Sequence, residues 1–206
     1  MSAIRNLNPG APMNTLSRLA AVALLAATAT AAAQAAPVTY DIDATHTYPS
    51  FEADHMGIST WRGKFDHTTG NITMDRDAGT GTVDIVVDMK SANFGLPALD
   101  KVAKGKELFE ADKYPKAHFK GTLEGFANGV PTRAVGTLEM HGKTNPVTLD
   151  IRKLKCIPHP MFKREACGAD VYATIDREQF GMDAGKAYGF SMAVDLRIQV
   201  EAIATK

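Results

Sequence analysis

The tightest constraint on the fold lies near the C-terminal end of the chain. There Phe190, Met192, Val194, Leu196, Ile198 and Val200 occupy every second position, with Ser191, Ala193, Asp195, Arg197, Gln199 and Glu201 between them. Successive side chains of a strand point to opposite faces, so Tyr188 to Ala202 reads as one long strand with an apolar face and a wet face. A helix would scatter the same apolar residues around its whole circumference. Such a strand needs hydrogen-bonding neighbours along its edges and something for its apolar face to cover.

The same alternation recurs upstream. Thr39 to Asp43 alternates, and so does Ser50 to His55, with Phe51, Ala53 and His55 on one face. Ile58 to Arg62 reads as a short connection, and Gly63 to Met74 as strand with a bend at Thr69-Gly70-Asn71. Thr82 to Lys90 is a second long strand, its row formed by Val83, Ile85, Val87 and Met89. Pro97 to Gly105 breaks the pattern: proline opens it, Leu99, Val102 and Ala103 follow at helical spacing, and glycine closes it. Lys116 to Leu123, Thr132 to Met140, Val147 to Arg152 and Ala169 to Ile175 return to alternation. Long strands joined by short connections, with no strand–helix–strand repeat, predict an all-β, antiparallel protein of about eight strands with one short helix. Periodicity alone allows either an up-and-down barrel or two packed sheets; at about eight strands a barrel is either filled by side chains or holds one small ligand.

The first 35 residues belong to a different class. They carry Arg5 and Arg18, no acidic residue, and an Ala/Leu/Val-rich run from Leu19 to Ala33 that is too short for a comfortable membrane span. Ala33-Gln34-Ala35 suits a signal peptidase, which predicts a signal peptide over residues 1–35, a periplasmic destination and a mature domain over 36–206. Met13 is an alternative start, because Asn14 to Arg18 makes a compact positive region just before the apolar run. An uncleaved anchor is the competing reading. Across the whole chain 23 basic residues balance 23 acidic ones, and removing the leader tips the balance slightly acidic. That balance argues against nucleic-acid binding, for which a basic stripe would be expected.

Signatures of catalysis and metal binding are sparse. The chain has no nucleophile elbow, Walker loop or zinc-protease helix motif. Asp75 to Gly79 begins like a calcium loop, but Val86 stands where the bidentate glutamate belongs. Cys156 and Cys167 are the only cysteines; in an exported protein such a pair predicts a disulfide, here closing a small loop. The alternative, a metal site of Cys156, His159 and Cys167, matches no common zinc spacing. Of six histidines, His55 is the one on an apolar row, either as a satisfied core residue or as a polar contact for a ligand headgroup. Met89, Met140 and Met192 face inward, as gap-fillers or as an adaptable ligand wall. Lys101, Lys104 and Lys106 on or near the helix form a solvated face or a surface for an anionic membrane.

In order along the chain stand Tyr40-Asp41-Ile42-Asp43 with His46, Ser50-Phe51, His55-Met56-Gly57, Gly63-Lys64-Phe65 and Gly70. Phe109, Lys113-Tyr114-Pro115, Phe119 and Val135-Gly136-Thr137-Leu138 follow, then His141-Gly142-Lys143-Thr144, Pro146-Val147-Thr148-Leu149, Arg177 and Phe180-Gly181. In this series the chain resembles the YceI-like family of exported polyisoprenoid-binding proteins. The resemblance departs at Ser91 to Gly95 and Asp100-Lys101-Val102, where the family carries other residues at a barrel entrance. It implies an extended lipocalin-like antiparallel β-barrel with an apolar tunnel for a long isoprenoid, such as a polyprenyl phosphate or a quinone-like molecule, or another amphiphile. The sparse chemical signatures predict no catalysis, no metal and no other cofactor, and transient membrane contact with a monomer or homodimer is the expectation. With the alternation, the resemblance implies a tunnel lined by Phe51, Met89, Phe119, Leu138, Met140, Phe190, Met192 and Val194, with His55 and Phe180 nearer polar contacts. Two alternatives stand beside it: an enzyme using His55 in the same cavity, and an interaction module with a filled core.

Overall fold

The structure, a computed structural model, describes residues 36–206, so the leader lies outside the described residues. Eleven strands follow in order: β1 Val38–Ile42, β2 Tyr48–His55, β3 Ser59–Phe65, β4 Thr68–Asp75, β5 Thr80–Asp88, β6 Ala92–Asn93, β7 Lys116–Glu124, β8 Arg133–Met140, β9 Lys143–Pro158, β10 Glu165–Asp176 and β11 Ala193–Ala204. One helix, α1 Pro97–Lys104, interrupts them between β6 and β7, with Pro97 in its first turn and Gly105 as its C-cap. Every pairing is antiparallel, and β11 closes the sheet by pairing with β10 on one edge and with both β1 and β2 on the other.

Eleven strands make eight staves. Along the edge of β11, Ile42 pairs with Ala202 and Tyr48 with Gln199, so β1 and β2 lie end to end as one interrupted stave. β4 and β3 continue this against β1 and β2, and β5 and β6 against β4 and β3. The remaining five staves, β7 to β11, are single strands. Each interruption slips the register, and nearby groups take up the hydrogen bonds that the ladder loses. Asp88 N donates to His67 O at 3.0 Å, Asp66 N to Ser91 O at 3.2 Å, and Asp43 N to Glu201 O at 2.9 Å. Between β1 and β2 the stand-in is a side chain. Thr47 Oγ1 accepts from Glu201 N and donates to Glu201 O, both at 3.0 Å.

Several local expectations change. The bend expected at Gly70 is continuous β4; a side chain there would meet the Asp84 carbonyl at 2.1 Å, so glycine permits close strand approach, and the true turn is Asp66–His67. Ile58 to Arg62, expected to be a connection, mostly belongs to β3. Its first four residues are exposed, which removes the alternation that marks a half-buried strand. The cysteines lie in paired strands and not in a loop: Cys156 stands opposite Cys167 on β9 and β10 and is bonded to it. This bond excludes the Cys156–His159–Cys167 metal site, and His159 Nδ1 instead accepts from Met161 N and Phe162 N.

The final strand begins at Ala193, later than its alternation suggests, so Phe190 and Met192 precede it. Gly185 and Gly189 take left-handed conformations, φ 81° and 85°, around a short 3-10 turn. The buried Arg177 guanidinium gathers this segment by donating to the carbonyls of Met182 at 2.9 Å and Ala184 at 2.7 Å. A buried cation satisfying main-chain carbonyls replaces the strand partner that this stretch lacks.

Replacing Thr47 with valine keeps the shape and removes both hydrogen bonds at the seam. Urea denaturation of Thr47→Val is expected to show a loss of about 1–3 kcal/mol, the cost of leaving the Glu201 amide unpaired. An unchanged midpoint and slope would mean that the seam does not depend on this side chain.

Candidate ligand-binding cavity

Once the sheet closes, the inward row of every stave faces the others. Ile72 and Met74 come from β4, Val83, Ile85 and Val87 from β5, Ala117, Phe119 and Leu123 from β7, and Ala134, Leu138 and Met140 from β8. Val147, Leu149, Ile151 and Leu154 come from β9, Val171 and Ile175 from β10, and Leu196, Ile198, Val200 and Ala202 from β11. These rows do not meet across the middle. They enclose a cavity of about 200 Å³ that no charged side chain lines. From Leu196 to Ala202 the wall runs about 20 Å at the strand rise. A dry engineered cavity of about 150 Å³ already admits benzene, so this one has room for part of an apolar chain.

Ile72, Ile85, Leu138, Leu149, Ile151 and Leu196 all line the cavity, yet they are only partly buried. In a filled core such inward residues would be sealed by their opposite numbers. Here their exposure is to the cavity itself. The barrel therefore encloses a cavity within its apolar core and is not filled throughout by side chains.

Three of the lining residues, Tyr40, Thr47 and Thr68, carry side-chain oxygen, and all three are almost wholly buried behind an apolar surface. Thr47 is committed to Glu201, as described. Tyr40, 2 % exposed, donates its hydroxyl to Glu165 Oε2 at 2.8 Å and accepts from Arg76 Nη2 at 3.2 Å. Arg76 Nη2 also donates to Glu165 Oε1 at 2.9 Å and lies 2.8 Å from Cys156 Sγ, so one guanidinium joins β1, β10 and the disulfide. Burial pushes the Tyr40 hydroxyl from its ordinary 10.0 up to about 12; the Glu165 hydrogen bond adds to this and the Arg76 charge opposes it. The third oxygen, Thr68 Oγ1, is fully buried and has no hydrogen-bond partner among the described residues.

A cluster of phenylalanines adjoins the wall. Phe65 lines the cavity, and Phe51 packs behind it at 5.5 Å between ring centres. Phe94 and Phe109, from the crossover carrying α1, meet Phe51 edge-on at 5.4 and 6.2 Å. Gly63 makes room for this, since a side chain there would meet the Phe51 ring at 2.5 Å. The crossover is thereby fastened to β2 and β3.

Of the residues expected to line the tunnel, Met89, Phe119, Leu138 and Met140 lie on the cavity wall. Phe51 and Val194 are buried in the apolar cluster around it. Phe180 and Met192 line a second, more polar concavity that shares Val147 and Ile175 with the first. Phe190 meets His55 edge-on at 5.0 Å, and His55 stacks on Trp61 at 4.1 Å, away from the cavity. His55 forms no side-chain hydrogen bond or ion pair among the described residues; the enzyme reading therefore lacks a partnered acid or base there. Phe180 contributes its carbonyl, which accepts from His141 Nδ1 at 3.0 Å. Arg76, Glu165 and Thr68 were not singled out from the sequence. The cysteine pair was the one signal pointing to their end of β9 and β10, and nothing local marks Thr68.

Residues 40–202 match the family described as the YceI-like domain. A UPF0312 protein of Pseudomonas paraeruginosa is 32 % identical over 189 residues, covering 90 % of this chain and 96 % of the relative. Among solved structures, Burkholderia cenocepacia BcnA superposes with a TM-score of 0.62 at 17 % identity, over 78 % of this chain and 99 % of BcnA. A polyisoprenoid binding domain from Saccharophagus degradans, implicated in plant cell wall breakdown, superposes with a TM-score of 0.57 at 19 % identity, over 80 % and 98 %. At these identities the two structures speak to the fold.

Tyr40 supplies a check on the buried polar end. Its folded pKa lies above its unfolded one, so its contribution is fully present below pH 10 and is lost as pH rises towards 12. Ultraviolet titration is expected to show one tyrosine ionising near pH 12, absent in Tyr40→Phe. Equal titration of all tyrosines near pH 10 would contradict the assignment.

Proposed function

The chain belongs to the YceI-like domain family, and from that premise we propose that its barrel binds one long apolar chain, an isoprenoid or a related amphiphilic lipid. It does so as an exported, periplasmic protein serving transport, storage or sequestration. The observation that carries this reading is the cavity: about 200 Å³, walled on every stave by aliphatic and aromatic side chains, with no charge on it. At about 24 cal/mol per Å³, a void of that size costs about 5 kcal/mol. That equals the whole stability of a marginal domain, so a tube left unfilled would be an expensive feature to maintain. An apolar guest offsets the cost, and each methylene taken from water contributes about 0.8 kcal/mol.

The description of the Saccharophagus domain as polyisoprenoid binding supports the isoprenoid class. Export rests on the leader, with its positive start, apolar run and Ala33-Gln34-Ala35 site. A quinone-like molecule falls within the same ligand class.

Native mass spectrometry of protein purified from its own host is expected to show mass beyond the bare chain, with melting temperature falling when lipid is extracted. Leu138→Trp places a larger side chain in the cavity and is expected to cut lipid loading severalfold while leaving folded yield intact. A bare chain with a melting curve insensitive to added isoprenoid would sink the proposal. Loss of folded yield in step with loading would point to a packed core.

A further inference from the structure

The hairpin formed by β9 and β10 stands apart in charge from the rest of the chain. From Ile151 to Arg164 it has five lysines and arginines and no acidic residue, although the 23 basic and 23 acidic residues of the whole chain balance. β8 leaves β9 at Asp150, so beyond Ile151 the strand pairs with β10 alone and its outer edge has no strand neighbour. At the tip, Met161 is 77 % exposed, Phe162 45 % and Ile157 44 %. Single exposed apolar residues are ordinary, but three gathered at one basic tip have the composition that seats in a lipid headgroup layer.

This tip is held in shape. His159 Nδ1 accepts from the Met161 and Phe162 amides, both at 3.2 Å, and the Phe162 ring stacks on the His159 ring at 4.5 Å. His159 N donates to Arg164 O at 2.7 Å, and the Cys156–Cys167 disulfide joins the strands just behind. A finger ordered in advance gives up little conformational freedom on docking. Its cations differ in their engagement. Arg152 lies over the Tyr172 ring and Lys153 reaches Asp170 at 3.7 Å. Lys155, Lys163 and Arg164 are exposed and meet no carboxylate among the described residues.

We propose that this tip is a membrane-docking finger: Met161 and Phe162 enter the headgroup layer of an anionic phospholipid bilayer, and Lys155, Lys163 and Arg164 face its phosphates. Charge chooses the occupant. A second copy would bring the same positive charge to the open edge, and lysines on an edge strand oppose such pairing. An anionic surface complements it, each lysine or arginine close to the surface raising affinity about fivefold. The proposal concerns where the barrel docks, and it holds whatever the cavity carries.

Protein purified from its own host, floated with phosphatidylcholine vesicles with and without phosphatidylglycerol, tests it. Wild type is expected to float with the anionic vesicles only, and less so as salt is raised. Replacing Lys155 and Lys163 together with glutamine should weaken binding about tenfold or more. Met161→Ser combined with Phe162→Ser should weaken it about tenfold. Both variants should keep the melting temperature and the lipid loading of wild type, which separates docking from the content of the cavity; if the serine variant folds poorly, the glutamine variant decides. Phe162→Trp should show emission moving to the blue on anionic vesicles. Wild type should show no such shift, because Trp61 pairs with Ala53, which connects through Val194 to Ile175 at the far end of β10 from the hairpin. Equal binding to both vesicle types, no binding to either, binding that survives both variants, or a blue shift of Trp61 in wild type would each overturn the assignment. A dimer that the serine variant dissolves would overturn it in favour of a second copy.

Discussion

A closed sheet has to satisfy the main chain of its last strand on both edges, and in this protein that requirement falls on β11. Its edge away from β10 is longer than either strand that meets it, so β1 and β2 divide it between them. At the join, the Thr47 hydroxyl takes the place of a strand backbone opposite Glu201. Closure gives β11 neighbours along both edges, with Thr47 bridging the gap between β1 and β2. Inward-facing side chains are then freed from any duty to cap backbone. The cavity can be almost wholly apolar because the sheet around it has settled its own hydrogen bonds.

Beside the buried apolar cluster around the cavity, specific contacts hold the wall together. The buried Arg177 holds the connection between β10 and β11 by its carbonyls, and the Phe51–Phe65–Phe94–Phe109 cluster fastens the α1 crossover to β2 and β3. Near Tyr40, Arg76 and Glu165 join β1 to β10 beside a cross-strand disulfide. These three knots are rich in aromatic and charged groups, whereas the cavity wall is mainly aliphatic. That division lets the walls remain a smooth apolar surface while the ends supply directional interactions.

Much of this was legible along the chain. Alternation from Val83 to Met89, Phe119 to Leu123 and Leu196 to Val200 identified real inward rows, because each strand has one wet and one covered face. Proline and glycine bracketed α1, and the paired cysteines announced their disulfide. The match over residues 40–202 agrees with the resemblance carried by scattered motifs from Tyr40 to Gly181. Where alternation misled, another force had overruled it. Phe190 and Met192 keep the two-residue period but lie outside β11, since two left-handed glycines and the Arg177 guanidinium give that segment a different set of hydrogen bonds. β3 lost its signal for the opposite reason: its first residues are exposed, so no covered face writes itself into the sequence.

Periodicity determined which residues turn inward, because side-chain direction along a strand is a local property of the backbone. It could not determine what lies opposite. Whether Ile85 meets another side chain or a cavity depends on the curvature of the whole sheet, and that curvature is set by eight staves closing on β11. The fates of His55 and Thr68 were decided in the same way. His55 shares a row with Phe51, yet β2 carries it to Trp61 and Phe190 and away from the cavity. Thr68 looks like any threonine at the start of a strand until the closed barrel surrounds its hydroxyl and provides no partner for it.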